Sequence, residues 1–293
     1  MIDFLTFLRS GIMLGVTYAL IAYAFTMTYK SCRAFNFAVG QVTVLAGLLY
    51  VSLSSVMPIG AAALAATACT AVLGILIYFV VVRRPDVLGV EPVSLLILLL
   101  GISIVIERTI PQIWGYYALA APPLVPGGFS AGGLYVSYQQ VAGFLLAVLT
   151  ISAVLLFERR TMLGKAMIAT GSAREAAITI GINDRQIQAI AWGIAFALLA
   201  VAALVITPLT SAGIVSAPRY SVLSISAAFI GGLGKGSGAL VGGLAVGIGS
   251  AMIAGYWSTE YADAILFTLI VVLLLTRPAG MFGDARALKG ARA

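Results

Sequence analysis

Two stretches of this chain set amide, hydroxyl and bare backbone groups where an apolar run begins or breaks. One is Asn36-Phe37-Ala38-Val39-Gly40-Gln41; the other runs from Gly231 to Gly238, with Gly234, Gly236 and Ser237 at its centre. The chemistry open to them is solvation, not bond making. A helix broken inside a membrane is tolerated only where its freed N–H and C=O groups face protein or a watery cavity. The positive end of a half-helix can then meet an anionic solute group. Asn36, Gln41 and Ser237 therefore read as candidate lining of a polar path, with Phe37, Gly40, Gly234 and Gly236 beside them. Lys235 either attracts carboxylates or sits in the loop of a helical hairpin. Little here supports an intramembrane enzyme: the chain has no histidine, no paired carboxylates at mid-span and no Cys/His metal spacing.

The elements that must carry these groups are membrane helices. Of 293 residues 61% are hydrophobic and only 9% charged, against about 25% charged in soluble domains. The charge-free runs predict an all-α polytopic membrane protein with about eight spans plus a broken or re-entrant glycine-rich element. The spans are Ser10–Tyr29, two within Ala34–Val82 divided at Pro58/Gly60, Pro92–Gly115, Tyr135–Phe157, Gln186–Ile206, a divided Tyr220–Gly255, and Tyr256–Thr276. The whole chain, 1–293, reads as one transmembrane domain. Residues 158–185 form a cytoplasmic loop and 277–293 a cytoplasmic tail. Ala22-Tyr23-Ala24 resembles a signal-peptide cleavage site, but the apolar run continues past it to Lys30 and Arg33, so a retained first span is expected.

With the N-terminus outside, Lys30, Arg33, Arg83, Arg84, Arg159, Arg160, Lys165, Arg174, Arg185, Arg277, Arg286, Lys289 and Arg292 fall inside, and only Arg9, Arg108 and Arg219 fall outside. The net charge of +7 then reflects topology and needs no nucleic-acid partner. Glu107-Arg108, Glu260 and Asp263 fall near the outer boundary, where local pairing or docking explains them. Cys32 and Cys69 suggest no disulfide framework.

Ten of the 32 glycines lie between Gly231 and Gly255. Glycine costs roughly 1 kcal/mol relative to alanine inside a helix, so the density requires a return. Gly232/Gly236, Gly238/Gly242, Gly243/Gly247 and Gly11/Gly15 have the small-xxx-small spacing of close helix contacts. Gly11, Gly15, Gly242, Gly243 and Gly247 are expected to serve packing. The outer loop Pro111–Gly133 carries Trp114, Tyr116 and Tyr117, which an interfacial aromatic belt explains.

In the inner loop, Ser172-Ala173-Arg174-Glu175 has the form of a capping box. It predicts a short helix over Arg174–Ile180, stopped by Gly181 as C-terminal cap. Asn183 with Gln186 predicts the start of the next span. The helix offers Ala176 and Ala177 for close approach of another protein and Arg174 and Glu175 for polar contacts; an ordinary connecting loop is the alternative.

In order along nearly the whole chain, several stretches resemble the smaller permease subunit of branched-chain amino-acid importers driven by an ATP-binding cassette. They are Gly15-Val16-Thr17-Tyr18-Ala19-Leu20 with Asn36–Gln41, Arg174-Glu175-Ala176-Ala177 with Gly181-Ile182-Asn183, Gly231-Gly232-Leu233-Gly234 through Gly242-Gly243, and Tyr261-Ala262-Asp263-Ala264-Ile265 with Arg277-Pro278-Ala279-Gly280-Met281-Phe282-Gly283. The resemblance implies a permease of the bacterial cytoplasmic membrane that pairs with a second, homologous permease on two cytoplasmic ATPase subunits. An extracytoplasmic binding protein delivers the solute. ATP and Mg belong to the ATPases, and this chain has no Gly-x-x-x-x-Gly-Lys-Ser/Thr loop. The inner-loop helix, with Ser172, Arg174, Glu175, Ala176, Ala177, Gly181 and Ile182, becomes the element that docks on an ATPase. The family motif Asn-Phe-Ala-His-Gly-Glu departs here at Val39 and Gln41. Losing the acid removes a partner for an ammonium group, which leaves room for amides, urea or aromatic carboxylates beside branched-chain amino acids. The rival readings are an ion-coupled secondary transporter, which needs an ionisable group at mid-membrane, and a passive small-solute channel.

Overall fold

A computed structural model describes residues 2–32, 35–87, 92–131, 134–232, 234, 236–257 and 261–276. Arg33, Leu233, Lys235, Glu260 and the tail from Arg277 onward lie outside the described residues. The helices are α1 (Ile2–Cys32), α2 (Val39–Ser54), α3 (Ile59–Ile77), α4 (Arg83–Val87), α5 (Pro92–Trp114), α6 (Tyr138–Arg160), α7 (Met162–Ser172), α8 (Arg174–Thr179), α9 (Asp184–Thr210), α10 (Ala217–Gly231), α11 (Gly236–Tyr256) and α12 (Ala262–Thr276). A π-turn over Tyr78–Val82 joins α3 to α4. Among the described residues seven helices are long and apolar enough to cross a membrane, and α2 is a shorter apolar helix. The all-α polytopic expectation holds.

The break expected at Pro58/Gly60 lies between Ser54 and Ile59. Three details depart from the sequence reading. The helix placed at Tyr135 begins at Tyr138, because Ser137 caps it by accepting the Gln139 N–H. Ahead of it stands a small antiparallel hairpin, β1 (Gly128–Ala131) with β2 (Leu134–Ser137), in a stretch read as loop. The last helix begins at Ala262, not Tyr256, since α11 continues through Tyr256.

α1 and α9 form the centre. The residues that mimic a cleavage site, Ala22, Tyr23 and Ala24, are fully buried inside an unbroken α1. α5 and α6 present apolar side chains outward, among them Val93, Ile97, Ile104 and Val105 on α5 and Leu145, Val148 and Leu149 on α6. Such faces suit lipid contact.

Glycines set the spacing of the central helices. α11 runs antiparallel to α1, with Gly247 against Gly15 and Gly11, Gly243 against Ala19, and Gly255 against the Phe7 ring. It also runs antiparallel to α10, with Gly238 on Gly231 and Gly242 on Ala227. In most of these places a Cβ would meet backbone of the facing helix, which cannot swing aside. The pair Gly232/Gly236 differs from its expected role: it flanks the α10–α11 turn and forms no helix stripe, with Gly232 at φ 90° and Gly234 at φ 87°. Such backbone favours glycine over any L side chain.

Position-dependence tests this account. Gly243→Val inserts atoms into the Ala19 backbone, and overpacking of this kind costs about 1–3 kcal/mol or more. Gly249→Ala, on the same helix, meets only Leu266 Cδ1 at 3.5 Å and relieves a helix-interior glycine of roughly 1 kcal/mol. Folded permease measured by size-exclusion fluorescence in detergent should collapse in the first variant and hold or rise in the second. Equal behaviour of the two would refute the packing assignment.

Candidate functional site

After α1 ends, the chain turns back into the bundle before α2 starts. The Phe35 ring stacks on Phe25 (6.1 Å) and Tyr29 (5.3 Å) of α1 and tilts against Phe229 of α10 (5.8 Å). Gly40 then lies on Ala217 and Ser221 of α10, and Gly47 on Thr207 of α9. Both contacts fall on helices long and apolar enough to cross a membrane, and Phe35–Ala38 is non-helical backbone packed against α1 and α10. Asn36 and Ala38 are each 1% exposed.

Several polar groups of this segment are answered locally. Asn36 Oδ1 accepts the Ala38 N–H at 3.1 Å. The Ser221 hydroxyl accepts the Gly40 N–H at 3.0 Å, and lies within donating distance of the Phe37 carbonyl (3.1 Å) and Gln41 Oε1 (3.3 Å). Gly40 must be glycine because the Ala217 carbonyl and the Ser221 hydroxyl occupy the space of a Cβ. Ala38 itself provides no side-chain cap; the Ser221 hydroxyl of α10 takes the Gly40 N–H in the first turn of α2, at the positive end of the helix dipole.

Gln41 also reaches across to α5. Its Nε2 donates to Glu107 Oε2 at 3.4 Å. A carboxylate from another helix thus stands beside position 41. The sequence reading put Glu107 near the outer end of its span as a local charge; the structure keeps it in the last turns of that helix, Val93–Trp114, and sets it beside Gln41.

Three polar atoms buried nearby have no hydrogen-bond partner among the described residues: Asn36 Nδ2, Ser224 Oγ one turn beyond Ser221, and the hydroxyl of Tyr18. Tyr18 lies on α1, close enough to Arg219 and Tyr220 of α10 for electrostatic interaction. A buried polar group left unpaired costs about 1–3 kcal/mol, and such groups in native proteins call for water or a ligand. Ser221, Ser224 and Tyr18 were missed from sequence. The available signal was the pair of hydroxyls three residues apart in an apolar run.

The glycine-rich turn lies elsewhere. Gly236 is covered by the Tyr23 ring, and the Tyr23 hydroxyl donates to Glu158 Oε2 at 2.8 Å. Glu158, 7% exposed, has Lys30 Nζ at 3.9 Å. The turn therefore belongs to the end of the bundle that carries Lys30, Arg159 and Arg160, not to a gap in mid-span. Gly236 is packed shut, Ser237 is exposed and Gly234 has open space around it, so the structure separates these three from the Asn36–Gln41 site.

At the same end, two helices replace the single one expected. α7, unforeseen, starts where Thr161 caps it by accepting the Gly164 N–H at 3.0 Å. Gly164 lets α7 fold back on the end of α6, because a Cβ there would strike Phe157 and Glu158. The capping box is overturned. Ser172 is the last residue of α7 and its hydroxyl donates to the Ile168 carbonyl at 2.8 Å, so α8 starts without a side-chain cap. The C-terminal reading holds. Gly181 has φ 91°, its N–H donates to the Ile178 carbonyl and the Ile182 N–H to the Ala177 carbonyl at 3.1 Å, the paired bonds of a Schellman cap. Asn183 caps α9 through the Gln186 N–H at 3.3 Å.

Arg174 fastens α8 to the bundle. Its Nη2 and Nε reach Asp184 Oδ2 at 2.6 and 3.1 Å. Asp184 accepts from Gln188 Nε2 at 2.9 Å, Gln188 Oε1 accepts from Ser31 at 3.1 Å, and Ser31 accepts from Trp192 Nε1 at 3.2 Å. A continuous polar chain thus runs from α8 through α9 to α1. Ala177 is buried and Ala176 and Glu175 are exposed. Beyond the arginines, Met162, Leu163 and Ile168 of α7, Ile178 of α8 and Ile180 just after it are all exposed, outside the membrane-length helices. Among the described residues no group of three His, Cys, Asp or Glu side chains stands close enough to hold a metal ion.

Comparison with known proteins accords with this geometry. The family described as "Branched-chain amino acid transport system / permease component" matches residues 7–274. The chain is 32% identical to the high-affinity branched-chain amino acid transport system permease protein BraD of Pseudomonas aeruginosa, with 94% of each chain covered. It is 29% identical to the permease protein LivH of Salmonella typhimurium, over 96% of this chain and 97% of LivH. A probable branched-chain amino acid transport permease of Methanocaldococcus jannaschii is 26% identical over 96% of this chain and 94% of its own. No solved structure matches the chain. The family is one of transport permeases, and this chain, a multi-pass membrane protein, belongs to it.

Proposed function

We propose that the chain is one of two homologous permeases in an importer whose energy comes from two ATPase subunits, with solute handed over by an extracytoplasmic binding protein. The end of the bundle carrying Lys30, Arg159, Arg160, Lys165 and Arg185 faces the cytoplasm, as the positive-inside rule requires, and the N-terminus lies outside. The observation that carries this reading is the set of exposed apolar side chains on α7, α8 and the turn after α8. Exposed apolar surface beyond the membrane marks a protein contact, and the Arg174–Asp184–Gln188–Ser31 chain connects that contact to α9 and α1. A secondary transporter or a passive channel has no use for such an element. ATP and Mg belong to the ATPases.

The solute path runs past the N-terminus of α2. A zwitterionic amino acid fits it: Glu107 answers the ammonium, and the positive end of the α2 dipole answers the carboxylate. Asn36, Gln41, Ser221 and Ser224 supply neutral polar contacts along the way. The acid absent at position 41 thus no longer argues for amides or urea.

Uptake by the reconstituted complex in vesicles, with ion gradients collapsed and ATP inside, separates the readings. Accumulation against a gradient is expected, along with crosslinking of a cysteine placed at Ile180 to an ATPase subunit. Loss of uptake on collapsing the gradients would favour ion coupling, and ATP-independent equilibration would favour a channel.

A further inference from the structure

The geometry points to a phospholipid site between the first turns of α1 and α6. A cleft of about 370 Å³ is lined by Leu5, Leu8, Ile12, Val136, Val141 and Phe144, with Arg9 and Gln140 among them. That volume falls within the roughly 300–1,000 Å³ of ligand clefts, and nearly all of its surface is apolar.

Arg9 is the feature that selects the occupant. It stands five residues inside the apolar helix Phe4–Cys32, about 8 Å below its end at 1.5 Å per residue, the depth at which acyl chains meet headgroups. One guanidinium nitrogen, Nη1, donates to the Tyr135 carbonyl, which fixes the side chain over the cleft. No carboxylate pairs with Arg9 among the described residues. Arg9 Nε and Gln140 Oε1, both buried, have no partner either. A cation at headgroup depth with apolar walls beneath it complements one common amphiphile: an anionic phospholipid, its phosphate on the guanidinium and an acyl chain in the cleft. A headgroup hydroxyl would also offer Gln140 a donor. A second permease could cover the same groove, but an apolar helix there would leave the Arg9 charge without a partner.

The test uses the intact transporter in detergent, supplemented with phosphatidylglycerol or phosphatidylcholine of identical acyl chains, and reads the thermal midpoint. Phosphatidylglycerol is expected to raise the midpoint by several degrees more than phosphatidylcholine. Arg9→Gln should abolish that difference, Arg9→Lys should retain most of it, and Val141→Trp, which fills the cleft, should abolish it with the charge in place. Native mass spectrometry should show retained lipid in the parent and the Lys variant only. Equal response to the two lipids, or a preference that survives both Arg9→Gln and Val141→Trp, overturns the site. So does equal stabilisation by inorganic phosphate alone, which would mark a bare anion site. Loss of the neighbouring permease in Val141→Trp at unchanged lipid response would assign the groove to protein.

Discussion

Solute uptake by the assembled transporter should fall about tenfold or more in Gly181→Val while the permease still inserts and assembles. At φ 91° Gly181 occupies a backbone region that a β-branched residue enters only under strain, a cost of about 1–3 kcal/mol. Space is not the difficulty, because a Cβ at Gly181 meets nothing within 4 Å. The strain therefore falls on the cap alone. α8 is six residues long, too short to hold helical form without its ends, and the paired Gly181 and Ile182 bonds are its C-terminal fastening. Releasing them frees Ile178 and Ile180 from the geometry that presents them outward. ATP hydrolysis by the complex, measured beside uptake, should continue, so that the ratio of ATP consumed to solute moved rises. A matched loss of both activities with normal assembly would place the effect in the ATPases. Unchanged uptake would remove α8 from coupling altogether.

This prediction also shows where sequence was a sufficient guide. Gly181 as a helix stop and Asn183 as a helix start depend on contacts within a few residues, and both were legible. So were the helix break near Pro58 and the separation of α10 from α11, since proline and clustered glycine interrupt helices by local sterics. Ser172 failed for an instructive reason. Its hydroxyl had two local partners to choose between, a backbone N–H ahead that it would accept from and the Ile168 carbonyl behind that it could donate to. α7, whose existence rests on Thr161 and on Gly164 fitting under Glu158, turned it backward to Ile168. Nothing in the spacing of Ser172 and Glu175 records that a helix precedes them. Gly236 failed similarly: a glycine beneath Tyr23 and a glycine bared to a solute have the same one-letter signature.

The most consequential contact invisible in sequence is the one between Gln41 and Glu107, 66 positions apart. Glu107→Gln should reduce the maximal rate of amino-acid uptake by roughly 10- to 100-fold, from the about 1.5–3 kcal/mol that a hydrogen bond to a charged group contributes. Half-saturating solute concentration should hardly move, because the binding protein captures the solute before the permease meets it. Protein yield should hold as well: Glu107 is only partly buried, and a glutamine still accepts from the Gln41 amide through its carbonyl. The reciprocal change separates charge from shape. In Gln41→Glu two carboxylates would stand side by side, and like charges in so small a space raise the proton affinity of one of them. Uptake there should therefore recover as pH falls and one charge is neutralised, and weaken as pH rises and both carboxylates ionise. Glu107→Gln should show no such pH response. A Glu107→Gln transporter that runs at the parental rate would mean that the solute's ammonium passes without a carboxylate, and the path would then be one for solutes that carry none.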